Sequence, residues 1–298
     1  MLFIMVFMCA FGCTMWSLDA CAKSPVKKQV PTNNTKKSIT KTNPGINTKT
    51  NKEIKTKINP KDGAEMILIP AGEFLMGSKD TEKLSNVNEK PQRKAYLDIY
   101  YMYKNEVTVA QYRKFCTATG RKMPNAPDWG CRDTHPIVNV SWNDAKAYAD
   151  WAGVVLPTEA QWEKAARGTD GCIYPWGNTW DETKCANYTN SGKGNTTSGT
   201  HPVGSFPTGA SPYGVMDMAG NVWEWCGDWY SGDYYKNALA KNPTGPVTGI
   251  SRVLRGGSWD GNYYFGDYVY RGAFRNFNIP DNYINNGHFG FRCAYPGP

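Results

Sequence analysis

Cysteines and histidines are the side chains of this chain best suited to covalent or metal chemistry, and their spacing is uninformative in a useful way. Of nine cysteines, Cys116, Cys131, Cys172, Cys185, Cys226 and Cys293 lie beyond residue 100, and no two form a C-x-x-C pair. Neither a zinc ribbon nor a thioredoxin-type site is therefore supported. His135, His201 and His288 are dispersed, and no Ser/His/Asp set or phosphate-cradling loop accompanies them. In an exported protein the even count of six permits disulfides, and Cys116–Cys131 and Cys172–Cys185 are the local pairings to test first.

The pattern that does suggest chemistry is one of recognition. From Gly256 to Tyr295 there is no Lys, Glu, Gln or Met. The stretch instead interleaves Tyr263, Tyr264, Phe265, Tyr268, Tyr270, Phe274, Phe277, Tyr283 and Phe289 with Asn262, Asn276, Asn278, Asn282, Asn285 and Asn286. Rigid aromatics supply contact area at low entropy cost, and small polar residues supply adaptable hydrogen bonds. The alternative is an aromatic-rich β core. The frame favours a displayed segment, with Arg252-Val253-Leu254-Arg255-Gly256-Gly257-Ser258-Trp259 before it and Gly290-Phe291-Arg292-Cys293 after it.

These residues need a scaffold, and the chain supplies one from about Glu65 onward. Met66-Ile67-Leu68-Ile69-Pro70 reads as a buried strand, and Ala71-Gly72 turns it into a second. Thr108-Val109-Ala110-Gln111 opens an amphipathic helix with Tyr112, Phe115 and Cys116 on one face, closed by Gly120. Ser141-Trp142-Asn143-Asp144 opens a second, with Ala145, Tyr148, Ala149 and Ala152 inward and a stop at Gly153. Thr158 and Gln161 form a capping box for a third. Beyond Gly168 the density of Gly, Pro, Asn and Trp predicts long, individually packed loops. The class is α+β. The acids Glu159, Glu163 and Glu224 read as structural acceptors for backbone donors or Arg side chains.

Charge is unevenly placed. The chain carries +8 overall, but residues 22–61 hold eleven Lys and a single acid, Glu53, so residues 62–298 are close to neutral. That leaves no electrostatic footprint for nucleic acid on the folded part. Residues 22–61 have almost no large apolar side chains and read as a disordered Lys/Asn/Thr-rich tether, spanning roughly 35 Å. Residues 1–21 read as an export signal with a short apolar run, although a positive leading region is missing. Leu18-Asp19-Ala20-Cys21 resembles a loosely kept lipobox, which makes Cys21 the expected lipidation site and Cys13 the second candidate. An exported, lipid-anchored protein at a bacterial outer membrane or cell surface is expected.

Four ordered blocks carry a family resemblance: Ile69-Pro70-Ala71-Gly72-Glu73-Phe74, Leu156-Pro157-Thr158-Glu159-Ala160-Gln161-Trp162-Glu163, Tyr174-Pro175-Trp176-Gly177-Asn178, and Asp217-Met218-Ala219-Gly220-Asn221-Val222-Trp223-Glu224-Trp225. With Arg255-Gly256-Gly257-Ser258-Trp259 and Gly290-Phe291-Arg292, residues 65–295 resemble the formylglycine-generating-enzyme (sulfatase-modifying factor) family. The resemblance implies a C-type lectin-like fold, two or more helices on small antiparallel sheets with extensive ordered loops. Those enzymes oxidise a substrate cysteine with copper held by two cysteines after the Gly-Gly-Ser turn. The matching positions here are Gly261 and Gly266, which offer no thiolate for Cu(I). The related iron-dependent sulfoxide synthases take His ligands from an added helical domain that this chain does not match. No catalytic residue is therefore expected and no cofactor is required.

The family also places structural calcium at positions matching Asp217, Met218, Gly220 and Val222, and at a second set matching Asn187, Tyr188, Asn195 and Thr197, where Asn195 replaces an acid. The framed C-terminal segment is further similar to the variable proteins of diversity-generating retroelements, in which adenine-directed mutagenesis rewrites the end of such a domain. That resemblance implies a variable region at about 252–293 whose ligand-binding face comprises Asp260, Gly261, Asn262, Tyr263, Tyr264, Phe265, Asp267, Tyr268, Phe274, Asn276, Phe277, Tyr283 and Asn285. The expected function is a surface-displayed receptor for an unknown protein or cell-surface ligand. The alternatives are a formylglycine-generating-type oxidoreductase acting on a sulfatase cysteine, or a structural envelope lipoprotein.

Overall fold

A central four-stranded sheet explains why the first strand run is apolar throughout rather than alternating. A computed structural model describes residues 54–191, 199–261, 266–282 and 287–297. Its first sheet has the order β1-β2-β5-β10, built from β1 (Thr56–Ile58), β2 (Glu65–Ile69), β5 (Tyr100–Tyr103) and β10 (Ala294–Pro296), all antiparallel. Met66 and Tyr103 join one apolar cluster, whereas Ile67, Ile69, Tyr100 and Met102 join a second. A sheet covered on both faces needs apolar residues at successive positions. A two-stranded ribbon, β3 (Gly72–Met76) with β4 (Arg93–Leu97), extends the second cluster.

The three helices start and stop where the sequence places them. In α1 (Val109–Thr119), α2 (Trp142–Ala152) and α3 (Glu159–Arg167), the caps Thr108, Ser141 and Thr158 exchange hydrogen bonds with Gln111, Asp144 and Gln161. Gly120 (φ 70°) closes α1 in the left-handed region, where a Cβ would be strained. The inward faces of α1 and α2 meet through Tyr112 stacked on Tyr148, ring centroids 5.8 Å apart. Helix α3 is different. Glu159, Glu163, Lys164 and Arg167 are all buried, so it runs through the interior and must carry its own charge partners.

A third sheet positions the C-terminal segment. Its order is β8-β7-β6-β9, with β6 (Trp223–Trp229), β7 (Arg252–Arg255), β8 (Asn276–Asn278) and β9 (Phe289–Gly290); a one-turn helix, α4 (Tyr234–Asn237), lies between β6 and β7.

The structure corrects the expected architecture at two places. β9 runs parallel to β6, so the sheets are not all antiparallel. The segment expected as tether through residue 61 contributes β1, which pairs with β2, and its buried Asn59 donates to the Tyr103 hydroxyl at 2.6 Å. All three β1 residues are exposed, so the strand is held by backbone pairing and leaves no apolar signal. The export segment, Cys21 and most of the tether lie outside the described residues.

Candidate functional site

Five arginines in residues 252–292 set the geometry of the C-terminal segment. Arg255 at the end of β7 donates to Glu163 Oε2 at 2.7 Å, and to the carbonyls of Gly272, Ala273 and Phe274. Arg271 forms a two-pronged pair with Glu89, at 2.7 and 2.6 Å, and reaches Glu82. Arg275 grips Glu159 the same way at 2.7 and 2.8 Å, and Arg292 grips Glu224 at 2.6 and 2.7 Å. All four are at most 2% exposed. Their acid partners come from outside the segment, so each ion pair nails a different point of it to the scaffold. Paired, hydrogen-bonded burial is the condition under which such charges are tolerated. Arg252 instead lies between the rings of Trp142 and Trp229, 3.7 and 3.4 Å from their centroids.

The acids read as structural acceptors have that role. Glu163 accepts from Gly77 N, Arg167, Arg255 and the Tyr235 hydroxyl, and Glu224 also accepts from Trp162 Nε1 at 2.9 Å. Long-range ion pairs have no local sequence signature. What the sequence did offer was the recurrence of Arg in a segment otherwise free of long polar side chains.

Residues 262–265 and 283–286, which include the expected face residues Asn262, Tyr263, Tyr264, Phe265, Tyr283 and Asn285, lie outside the described residues. The residues flanking these two stretches are joined. Trp259 Nε1 donates to Gly287 O at 3.2 Å, His288 Nε2 stands 3.2 Å from Asp260 Oδ2, and Ser258 Oγ donates to Asp260 Oδ1 at 2.8 Å. Burial holds the His288 imidazole below its usual value, against the pull of Asp260. Trp129 meets Trp259 edge-on at 5.3 Å, a contribution that nothing in its Pro-rich surroundings signalled.

Among the described face residues, only Phe277 is exposed, at 46%, and it stacks on Tyr230 at 4.1 Å. Asp260, Asp267 and Asn276 are half-buried. Tyr268 and Phe274 lean on each other, 5.5 Å apart, and on the first apolar cluster rather than standing in solvent. Gly261 is a correction, because it is buried. A Cβ there would come within 3.0 Å of Val269 Cγ2 and 3.1 Å of the Tyr270 hydroxyl, so its surroundings are tight as well as free of thiol. Gly266 is exposed and takes φ 77°.

All six described cysteines are free, so neither Cys116–Cys131 nor Cys172–Cys185 is bridged. Cys116 is buried while Cys131 is exposed, and Cys185 is buried while Cys172 is half-buried. Proximity in sequence did not bring either pair together.

For calcium, the loop of Asp217, Met218, Gly220 and Val222 is buried, and Asp217 Oδ2 accepts from Gly204 N at 2.6 Å. Beside it lies Glu106, which the sequence did not single out although it is a lone acid in an aromatic run. Glu106 Oε2 accepts from Asn221 Nδ2 at 3.2 Å, while its buried Oε1 has no partner. Burial raises both carboxyls, and the Asp217 charge adds to the rise at Glu106. Two buried carboxyls with an orphan oxygen suit a hard cation completed by carbonyls. No three His, Cys, Asp or Glu side chains converge among the described residues, so carbonyls would have to complete the shell. At the second expected site the Asn187 amide is already engaged, donating to Glu182 O and Cys185 O and accepting from Thr189 N. Tyr188 lies beside it, and Asn195 and Thr197 fall outside the described residues.

One buried acid gives a pH prediction. Burial first, and then the neighbouring Glu159, push the Asp228 carboxyl up to about 8. Its folded value exceeds its unfolded value, so the stability its proton contributes is full below about pH 4 and is lost as pH rises through about 8. Asp228→Asn keeps an acceptor for Glu159 N and removes the charge. At pH 8.5 the variant should exceed the wild type by more than about 1 kcal/mol in urea unfolding, with the gap closing at pH 5. Parallel pH profiles would show that Asp228 is ionised without penalty.

Known proteins place this geometry. Residues 51–296 match the sulfatase-modifying factor enzyme 1-like domain. The formylglycine-generating enzyme of Thermomonospora curvata is 36% identical over 288 residues, with 77% of this chain and 92% of that enzyme covered. Among solved structures, PvdO from Pseudomonas aeruginosa superimposes with a TM-score of 0.70 at 27% identity, over 82% of this chain and 98% of that one. Treponema denticola variable protein 1 does so with a TM-score of 0.62 at 25% identity, over 81% and 98%. The fold is the C-type lectin-like one of the formylglycine-generating-enzyme type. From sequence and structure alike, the chain belongs to the sulfatase-modifying factor enzyme 1-like domain family.

Proposed function

We propose that the domain is a ligand-binding receptor and not a formylglycine-generating enzyme. The observation that carries this reading is Gly261 and Gly266 at the copper-cysteine positions, within a segment fixed by buried Arg–Glu pairs on either side. Without soft thiolates there is nothing at the turn to hold Cu(I). The likeness to a treponemal variable protein supports a segment whose exposed residues are exchangeable by a retroelement. On this reading the ligand is a protein or another cell-surface molecule, and the Lys-rich residues before the domain tether it to a lipid on Cys21. Calcium, held by Glu106, Asp217 and neighbouring carbonyls, would stiffen the loop beneath Gly256 without taking part in binding.

The rival reading is an oxidoreductase of the relatives' type, favoured by the 36% identity to a formylglycine-generating enzyme. The purified domain, incubated with a sulfatase-motif peptide, Cu(I) and oxygen, should leave the peptide cysteine unmodified by mass spectrometry. Multiple-turnover conversion would sink the receptor reading.

A further inference from the structure

β8 is an edge strand whose outward face combines two hazards. Among the described residues, the sheet order β8-β7-β6-β9 leaves it with one neighbour, in the register Leu254–Asn276, Val253–Phe277 and Arg252–Asn278. In an antiparallel pair, alternate residues turn their amides toward the partner and away from it. An edge with open donors is a template for pairing with another chain. This one also exposes apolar side chains, with Phe277 at 46% and Ile279 at 51%, while Ile250 just before β7 is 84% exposed.

Two amides along this edge, that of Phe277 within β8 and that of Ile279 just beyond its end, are nevertheless satisfied. Phe277 N donates to Asn276 Oδ1 at 2.8 Å, and Ile279 N donates to Asn278 Oδ1 at 2.8 Å. Asn278 Oδ1 also accepts from Asn282 Nδ2 at 3.1 Å, which fixes its orientation. Each asparagine thus places its carbonyl where the carbonyl of an incoming strand would have to bind. We propose that Asn276 and Asn278 are edge guards, whose side-chain carbonyls close the outward amides of β8 and keep it from pairing with an extended segment of a second copy of this chain.

The role follows from the strand's own geometry and is independent of what the segment binds. It restricts any exchange at position 276. Asp or Ser keeps an acceptor near the Phe277 amide, whereas an apolar residue uncovers it and turns a recognition surface into a self-pairing one.

The test compares Asn276→Val/Asn278→Val with Asn276→Asp/Asn278→Asp in the full chain. Amide hydrogen exchange at Phe277 and Ile279 should accelerate about tenfold in dilute Val variant, as expected for the loss of one hydrogen bond of ordinary strength. Sedimentation velocity should show that this variant self-associates with rising concentration while the Asp variant and wild type stay monomeric. A Val variant that stays monomeric with unchanged exchange at both amides overturns the proposal. So does a wild type that dimerises through this edge. Should the Val variant prove unfolded, Asn278→Ala alone must still accelerate Ile279 exchange, and unchanged exchange there counts against it.

Discussion

Glu224→Ala should destabilise the domain by about 3–5 kcal/mol. Glu224 accepts two hydrogen bonds from Arg292 and one from Trp162, and all three side chains are at most 1% exposed. Removing the acid takes from the buried Arg292 guanidinium the carboxylate it is hydrogen-bonded to, leaving only the nearby charges of Glu106 and Asp217. Its remaining acceptors are the carbonyls of Tyr103 and Lys104 at 3.2 and 3.1 Å, which cannot neutralise it. Breaking a buried pair from one side costs about 3–5 kcal/mol, a large share of the 5–15 kcal/mol that domains possess. Because Arg292 follows β9, the same change should release the end of the recognition segment first. Urea unfolding followed by Trp fluorescence measures the loss, and a variant within about 1 kcal/mol of wild type would mean that the pair is not a fixing point.

Gly220→Ala should be almost as damaging through pure sterics. Gly220 has φ 80°, and a Cβ there would sit 1.9 Å from the Ala186 carbonyl oxygen. The two strands of chain cannot separate freely, because Asn221 N donates to the same oxygen at 3.1 Å and Gly220 N donates to Gly256 O at 2.8 Å. Left-handed backbone costs an alanine about 1–2 kcal/mol, and forced repacking adds about 1–3 kcal/mol. The Tm should fall by roughly 4–20 °C, at about 2–4 °C per kcal/mol for a domain of this size. A fall of under about 3 °C would show that the Ala186–Gly220 crossing is looser than its geometry.

What the sequence revealed and what it hid differ in range. The capping boxes Thr108–Gln111, Ser141–Asp144 and Thr158–Gln161 were legible because cap and partner lie three residues apart. β2 was legible because both its faces are covered. The Arg271–Glu89 pair was not, since its members are 182 positions apart and each alone is an ordinary surface residue type. β1 was hidden because all its side chains face water, and the parallel β6–β9 contact because it involves only two residues of each strand. At the site, that residues 261 and 266 are glycines is plain in the sequence, and their match to copper cysteines is what the family resemblance implies. The burial of Gly261, and the lean of Tyr268 and Phe274 onto the core, could not, because composition does not say which aromatic faces inward.

The central claim is that recognition residues are carried by pins that do not depend on them. The most direct test replaces residues 262–265 and 283–286 together with Asp267 and Phe277 by serine, leaving Arg255, Arg271, Arg275, Arg292 and Asn276 in place, and measures thermal unfolding. Surface changes usually stay within about 0.5 kcal/mol each and partly cancel, so the variant should unfold cooperatively within about 8 °C of wild type. A variant that fails to fold, or melts without cooperativity, would make these residues part of the scaffold and contradict the receptor account.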